Sequence, residues 1–216
     1  MNKFRLILFL FPLAFLLFSC SDAKKEYYMD GKLKSFVHIR NGKYYGKALF
    51  YYPTGDLQLE CFYNNNLLQG PLIRYFSFNK KKEEQNYDKG NLDGLSTVFY
   101  QDGGKLSETT YMNGVLNGPY HEYHPDNHIK VQGQYLQGFF SGKWLYFNFS
   151  GDIVGAGQFI HGTGKQSSFY PDGKVSHEVH YKNNLKEGEE IEYDLSGQVT
   201  SIKIFSHDSL IRSLQR

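Results

Sequence analysis

Seven glycines set the frame of this chain. Gly46, Gly70, Gly94, Gly118, Gly142, Gly164 and Gly188 recur at steps of 24 residues, with a single step of 22. A fixed period of this size marks a tandem array in which each unit is one supersecondary element that buries its apolar side only against its neighbours. The short step is a two-residue deletion between Gly162 and Gly164, and every later column moves with it. Five residues after each glycine stands an aromatic: Tyr51, Tyr75, Phe99, Tyr123, Phe147, Phe169 and Tyr193. A second large apolar column, Ile39, Tyr63, Tyr87, Tyr111, Tyr135, Phe159, Tyr181 and Phe205, lies seven residues before the glycines outside the deletion.

Two kinds of turn alternate between these columns. One kind is Asp30-Gly31, Thr54-Gly55, Asp102-Gly103, Ser150-Gly151, Asp172-Gly173 and Ser196-Gly197; the other is Asn41-Gly42, Asn65-Asn66, Lys89-Gly90, Asn113-Gly114 and Asn183-Asn184. Gly and Asn tolerate the positive φ of tight hairpin turns, so these pairs signal β-hairpins. The stretches between them are short and rich in Tyr, Phe, Leu and Ile, which suits strands. No mature segment offers helical apolar spacing without an intervening glycine. The expected fold is all-β: an elongated antiparallel meander of tandem 24-residue hairpin repeats, with about sixteen strands. Ring stacking along the Tyr51-to-Tyr193 column is the expected core, with glycine leaving room for the rings.

The N-terminus has a separate logic. Lys3 and Arg5 precede an apolar run from Leu6 to Phe18, then Ser19-Cys20 and a polar stretch. The order is that of a secretory signal, and the run is too short to span a bilayer. Leu17-Phe18-Ser19-Cys20 resembles the lipobox of bacterial lipoproteins, although Phe18 occupies a place usually held by a small or β-branched residue. That resemblance implies cleavage before Cys20, acylation of its thiol and a lipid-anchored place in the cell envelope, at the outer membrane. The expected divisions are a signal peptide at 1–19, a tether at 20–29, the repeats at 30–205 and a terminal cap at 206–216. With Cys20 acylated, Cys61 is left without a disulfide partner and reads as a small buried residue.

Charge narrows the function. The +2 of the whole chain comes from Lys3 and Arg5; without them 22 basic side chains face 22 acidic ones. A neutral body lacks the phosphate-neutralising excess that nucleic-acid binders need.

Segments such as "GKLSETTYMNGVLNGPYHEY", from Gly104 to Tyr123, and "GKVSHEVHYKNNLKEGEEIEY", from Gly173 to Tyr193, share a glycine turn, an aliphatic, an acidic residue, a tyrosine, an Asn turn, a glycine and a closing aromatic. The pattern resembles the MORN repeat variant over nearly the whole mature chain. The acidic place holds Glu60, Glu84, Glu108 and Glu178, becomes Gln132 in one unit, and is lost at Phe36, Ala156 and Ile202. Proteins of this kind are often YwqK-type antitoxins, which implies capture of a toxin protein.

Catalytic and metal chemistry find little support. His177 and His180, like His121 and His124, stand three apart on strands and so point to opposite faces. His124 and His128 flank a turn without a third ligand. The carboxylates recur with the repeat, as structural residues do. The expectation is therefore a protein-binding scaffold, with no enzymatic activity, cofactor or small-molecule substrate. A lipid- or glycan-binding surface is the alternative, with Tyr52, Phe76, Tyr100, Trp144 and Tyr170 as the candidate binding face.

Overall fold

The computed structural model describes residues 21–215; the expected signal peptide and Cys20 lie outside them. Nineteen strand segments form one sheet, and the three-residue 3-10 turn Ser77–Asn79 is the only helical element among the described residues. Each strand pairs antiparallel with the one before and after it in the chain. Two strands are interrupted once each, at Gln69 and Asp93. The protein is thus an open antiparallel meander of hairpins.

Residues 20–29, expected as a tether, depart from that reading. Ser21–Tyr27 is the first strand and pairs along Leu33–Arg40. The turn before Lys32 closes on itself through Tyr28 N–H to Lys32 O at 2.8 Å, so the preceding residues continue the ladder. At the other end Ser209–Gln215 forms the last strand, against Val199–Ser206.

The two turn families differ in backbone. In the Asn-Gly family both central residues have positive φ, from Asn41 at 51° and Gly42 at 72° to Asn183 at 54° and Asn184 at 68°. Gln137-Gly138, His161-Gly162 and His207-Asp208 adopt the same form with Gln or His in the first place. In the second family a four-residue turn ends on a left-handed residue, as where Gly55 N–H donates to Tyr52 O at 2.9 Å. Pro53, Pro125 and Pro171 suit the second place of such turns. Asn79 and Asn127 stand where the others have glycine and take φ 56° and 65° themselves.

The glycine column proves to be a bulge, and it is not a cradle for rings. Nothing lies within 4 Å of a Cβ built on Gly70 or Gly142, yet their φ values are 82° and 66°. At these positions the strand leaving an Asn-Gly-type turn carries two residues more than its partner. Val37 pairs with Ala48 and Ile39 with Tyr44, so His38 alone faces the three residues Tyr45, Gly46 and Lys47. The same mismatch recurs between Tyr111↔Leu116 and Thr109↔Tyr120. The 22-residue unit lacks it: Ile160↔Thr163 to Gly155↔Ser168 run without a register shift, and Gly164 is absent from the positive-φ residues. The deletion therefore removed one bulge. Glycine persists at 164 for another reason, because a Cβ there would lie 2.0 Å from Gln158 O.

These bulges tip each turn onto the preceding one. In a flat meander, turns on one edge lie two strand spacings apart, about 9.6 Å. Here Asn66 N–H donates to Tyr44 O, Gly90 to Leu68, Gly114 to Leu92, Gly138 to Leu116 and Gly162 to Phe140, all within 2.7–3.0 Å. After the shortened unit, Asn184 N–H donates to Gly162 O, an acceptor two residues earlier in the unit, and its side chain reaches back to Phe140 N and Gly138 O at 2.8 Å each.

One face carries the core along cross-strand rows, Val37–Ala48–Cys61, Leu72–Gln85, Ser96–Thr109–Tyr120–Gly133 and Trp144–Gly157–Gln166–Val179–Glu190–Lys203. Its apolar part forms two clusters. Val37, Ala48, Cys61 and Leu72 make the first, joined by Tyr63 and Tyr87; Val131, Trp144 and Phe159 make the second, joined by Tyr120, Tyr135 and Tyr181. The rings that fill this core thus come largely from the column before the glycines. Polar Gln85, Ser96 and Thr109 separate the clusters. Beyond them, buried Glu190 is paired with Lys186 and lies 3.4 Å from His177 Nε2 and 3.6 Å from Lys203 Nζ.

Two glycine variants separate the two roles of the column. Gly142→Ala is expected to lower unfolding free energy by about 1–2 kcal/mol, the cost of a left-handed L-residue, and Gly142→Asn by less. Gly164→Ala should cost more than Gly142→Ala, with no relief from Asn, since the clash is with backbone. Urea denaturation of the four variants checks the order.

Candidate functional site

The opposite face is organised by its own cross-strand row, in which the acidic positions alternate with other residues: Leu49–Glu60–Ile73–Glu84–Thr97–Glu108–His121–Gln132–Leu145–Ala156–Ser167–Glu178. Each glutamate has a lysine partner: Lys47–Glu60 and Lys81–Glu84 at 2.8 Å, Lys105–Glu108 and Lys165–Glu178 at 2.6 Å. At Glu108 and Glu178 the closing aromatic completes the set. Tyr123 OH donates to Glu108 Oε2 at 2.6 Å and Tyr193 OH to Glu178 Oε2 at 3.4 Å. Burial pushes Glu108 and Glu178 up, but the lysine ammonium and the hydroxyl bonds outweigh it and hold both below the usual carboxylate range. Tyr123 is pushed up to about 12, first by burial and then by its bond to Glu108.

This explains the seven closing aromatics differently from the sequence reading. None of Tyr51, Tyr75, Phe99, Tyr123, Phe147, Phe169 and Tyr193 is fully buried. The ring contacts found among the described residues do not join them to one another, so they form no stacked ladder. They sit on the charged face, where tyrosine serves as a donor to glutamate.

The lysine–glutamate–tyrosine set fails in two successive units. Lys105, Glu108 and Tyr123 are followed 24 residues later by Ile129, Gln132 and Phe147, so the charged pair and the hydroxyl that bonds it are lost together. In the shortened unit the places fall to Ile153, Ala156 and Phe169. Leu145 lies between, paired to Gln132 on one side and Ala156 on the other. The result is a window without carboxylates on a charged face, bounded by Lys105–Glu108 and Lys165–Glu178 and holding exposed Lys143 at the place of Lys47 and Lys165. Ile153 is half exposed at 50%, and Ile129 and Val154 are each 36% exposed. A cleft of about 410 Å³ lies beside Tyr45 and Tyr63, and one of about 510 Å³ lies at the window's margin against Ile129, Gln132 and Phe147.

The expected binding face of Tyr52, Phe76, Tyr100, Trp144 and Tyr170 is not one surface. Tyr52, Tyr100 and Tyr170 are half-buried, and each hydroxyl donates to a carbonyl 23 residues on, Tyr75 O, Tyr123 O and Tyr193 O, at 2.7–2.8 Å. Tyr28 does the same to Tyr51 O at 2.6 Å, and His124 Nε2 lies 3.0 Å from Phe147 O. These side chains clasp one repeat to the next. Phe76 occupies the same place without a hydroxyl. Trp144 is in the core, 4% exposed, stacked on Tyr120 at 5.5 Å and edge-on to Phe140 at 4.9 Å. It lies over Gly133, where a Cβ would meet the indole at 2.2 Å, so glycine on the neighbouring strand makes room for the one tryptophan. Its Nε1–H has no partner among the described residues. The window had a signal in the sequence, the loss of the acid at Gln132 and Ala156, but its meaning required the lysine and tyrosine to be seen beside the glutamate.

Fold and surface together define a tandem β-hairpin repeat protein with one apolar and one charged face. Two of its segments, residues 44–65 and 163–183, match the profile of the MORN repeat variant family. No curated protein matches the chain. Among solved structures, it is similar to part of a chain in the crystal structure of TcdB2-TccC3-TEV, at 10% identity and a TM-score of 0.22, covering 84% of this chain and 12% of that one. A chain in the crystal structure of TcdB2-TccC3-Cdc42 aligns at 11% identity and a TM-score of 0.20, over 86% and 13%. This protein therefore spans about an eighth of those chains.

Two measurements test these assignments. Tyr100→Phe should lower unfolding free energy by about 1 kcal/mol, whereas Phe76→Tyr should raise it by about 0.5–1 kcal/mol by adding the missing clasp; thermal melts of both variants decide. The folded carboxyls of Glu108 and Glu178 lie below their ordinary 4.5, so their stabilisation is present above that pH and lost as pH falls through the folded values. Glu108→Gln/Glu178→Gln should therefore be less stable than the parent near neutrality, and the difference should shrink below about pH 4.5, as read by urea denaturation across pH.

Proposed function

We propose that this chain is a lipid-anchored envelope protein that binds a protein partner through the window between Ile129 and Phe169. The observation carrying this reading is the loss of both the glutamate and its tyrosine in two adjacent units, Gln132 with Phe147 and Ala156 with Phe169. Interface centres are depleted of charge and ringed by polar groups, and the window has that arrangement between Lys105–Glu108 and Lys165–Glu178. In the first unit all three members change together; in the second the acid and the tyrosine are lost while Lys143 keeps the place of Lys47 and Lys165. Cys20, with the lipobox-like residues before it, supports anchoring outside the cytoplasm. The MORN-variant character of the units supports a narrower form, an immunity-type protein that captures a secreted toxin. Capture requires complementarity alone and no catalytic group.

Restoring the set tests the window without disturbing the fold. Ile129→Lys/Gln132→Glu/Phe147→Tyr rebuilds what the preceding repeat already contains, so its melting temperature should stay within a few degrees of the parent. A photo-crosslinker at Val154 in envelope preparations should give a discrete protein adduct with the parent and lose it with the restored variant. An adduct that survives restoration rules the window out. Cys20→Ala should release the protein from the membrane fraction, and unchanged toxin sensitivity of a deletion strain would sink the immunity form.

A further inference from the structure

We infer that the cleft at the margin of the window, between the turn at Ser150-Gly151 and the strand holding Gln132, is a binding site for a neutral saccharide. The cleft measures about 510 Å³ and is lined by Asn127, His128, Ile129, Gln132, Phe147 and the Ser150-Gly151 turn. That volume falls within the ~300–1,000 Å³ of small-molecule sites.

Three features define the ligand. First, the lining holds no carboxylate, ammonium or guanidinium, in contrast to the cleft beside Phe99, which includes Glu84, Lys105 and Glu108. A charged ligand would find no counter-ion and would lose hydration. Second, polar groups at the cleft have spare capacity. Neither the Gln132 amide nor the Ser150 hydroxyl bonds to a protein group among the described residues, and His128 uses Nδ1 on Asp126 at 3.1 Å, leaving Nε2 free to bond. Third, Phe147 and Ile129 supply apolar surface beside those groups. A sugar ring presents this combination in reverse, with a C–H face for the aromatic ring and hydroxyls at its edge for the amide, hydroxyl and imidazole. A purely apolar ligand would leave the amide unpaired, at a cost.

The register shows why the space exists here. Ile129, Gln132 and Phe147 occupy the places of Lys105, Glu108 and Tyr123, which close on one another through bonds of 2.6 Å. Replacing the three removes those bonds and leaves a ring, an aliphatic wall and an amide facing a turn. The cleft is open to solvent, which suits one end or an internal unit of a chain of sugars at millimolar affinity.

This inference is separable from the protein-binding reading, because Ile153 belongs to the window and not to the cleft lining. The test is saturation-transfer NMR on the full chain with neutral disaccharides of glucose and of N-acetylglucosamine, against glucuronic acid, glucosamine and glycerol. Transfer to the C–H protons of a neutral disaccharide is expected in the millimolar range. Gln132→Ala and Ser150→Ala should each weaken it about five-fold, Phe147→Leu should weaken it at least as much, and Ile153→Lys should leave it unchanged. Absence of transfer up to about 50 mM, equal transfer to glycerol or to the charged sugars, or full binding by Gln132→Ala and Phe147→Leu overturns the site. If Ile153→Lys abolishes protein capture while sugar binding persists, the two readings stand apart; if sugar fails while capture persists, only this one falls.

Discussion

Backbone hydrogen bonding between successive turns is the constraint on which the array depends. A single-layer sheet has no second layer to bury its apolar face, so order must come from neighbours in the chain. The two-residue bulge at every column glycine but Gly164 tips one turn onto the last, and an N–H to C=O bond joins them, from Asn66–Tyr44 to Asp208–Lys186. On the opposite edge, tyrosine hydroxyls span 23 residues to the carbonyl of the next closing aromatic. Both edges are therefore tied from repeat to repeat, and the strand ladder between them inherits a fixed spacing.

Within that frame the two faces solve different problems. The core face buries what it can, in two clusters centred on Cys61 and Trp144, and gives way to polar residues between and beyond them. The other face is stabilised by repeated ion pairs whose lysines are about half exposed. Exposed pairs of this kind contribute little individually, so their value lies in keeping the face soluble and in register. Against such a uniform surface, removing one set costs the fold little. A repeat protein can specialise at that place because the edge bonds, and not the charges, hold the array together. The window and its cleft occupy the only two adjacent units in which neither the acid nor its tyrosine is present.

The shortened unit shows how tightly the parts are coupled. Losing two residues removes a bulge, returns the strand to regular pairing, and moves the next turn's acceptor from the usual position to Gly162 itself. Asn184 compensates by reaching across to Phe140 and Gly138, two units back. The window lies over this irregular stretch.

The period, the strands, the alternation of two turns and the deletion were all legible in the sequence, because each depends on local backbone preference: positive φ for Gly and Asn, extended backbone for Tyr, Phe and Ile. The column residues were legible as columns. Their roles were not. Whether a recurring aromatic stacks in a core, donates to a glutamate or clasps a carbonyl depends on which face and which edge it reaches, and a bulge of two residues decides that without leaving a mark on composition. Tyr52 and Trp144 look alike as candidate surface aromatics in the sequence; the register places one at a turn, bonded to the next repeat, and the other over Gly133 in the core. The sequence determined the repeat by local physics, and only the tertiary structure, by bringing together side chains 13 to 24 residues apart such as Lys165 with Glu178 and Tyr123 with Glu108, decided where the charged face is interrupted.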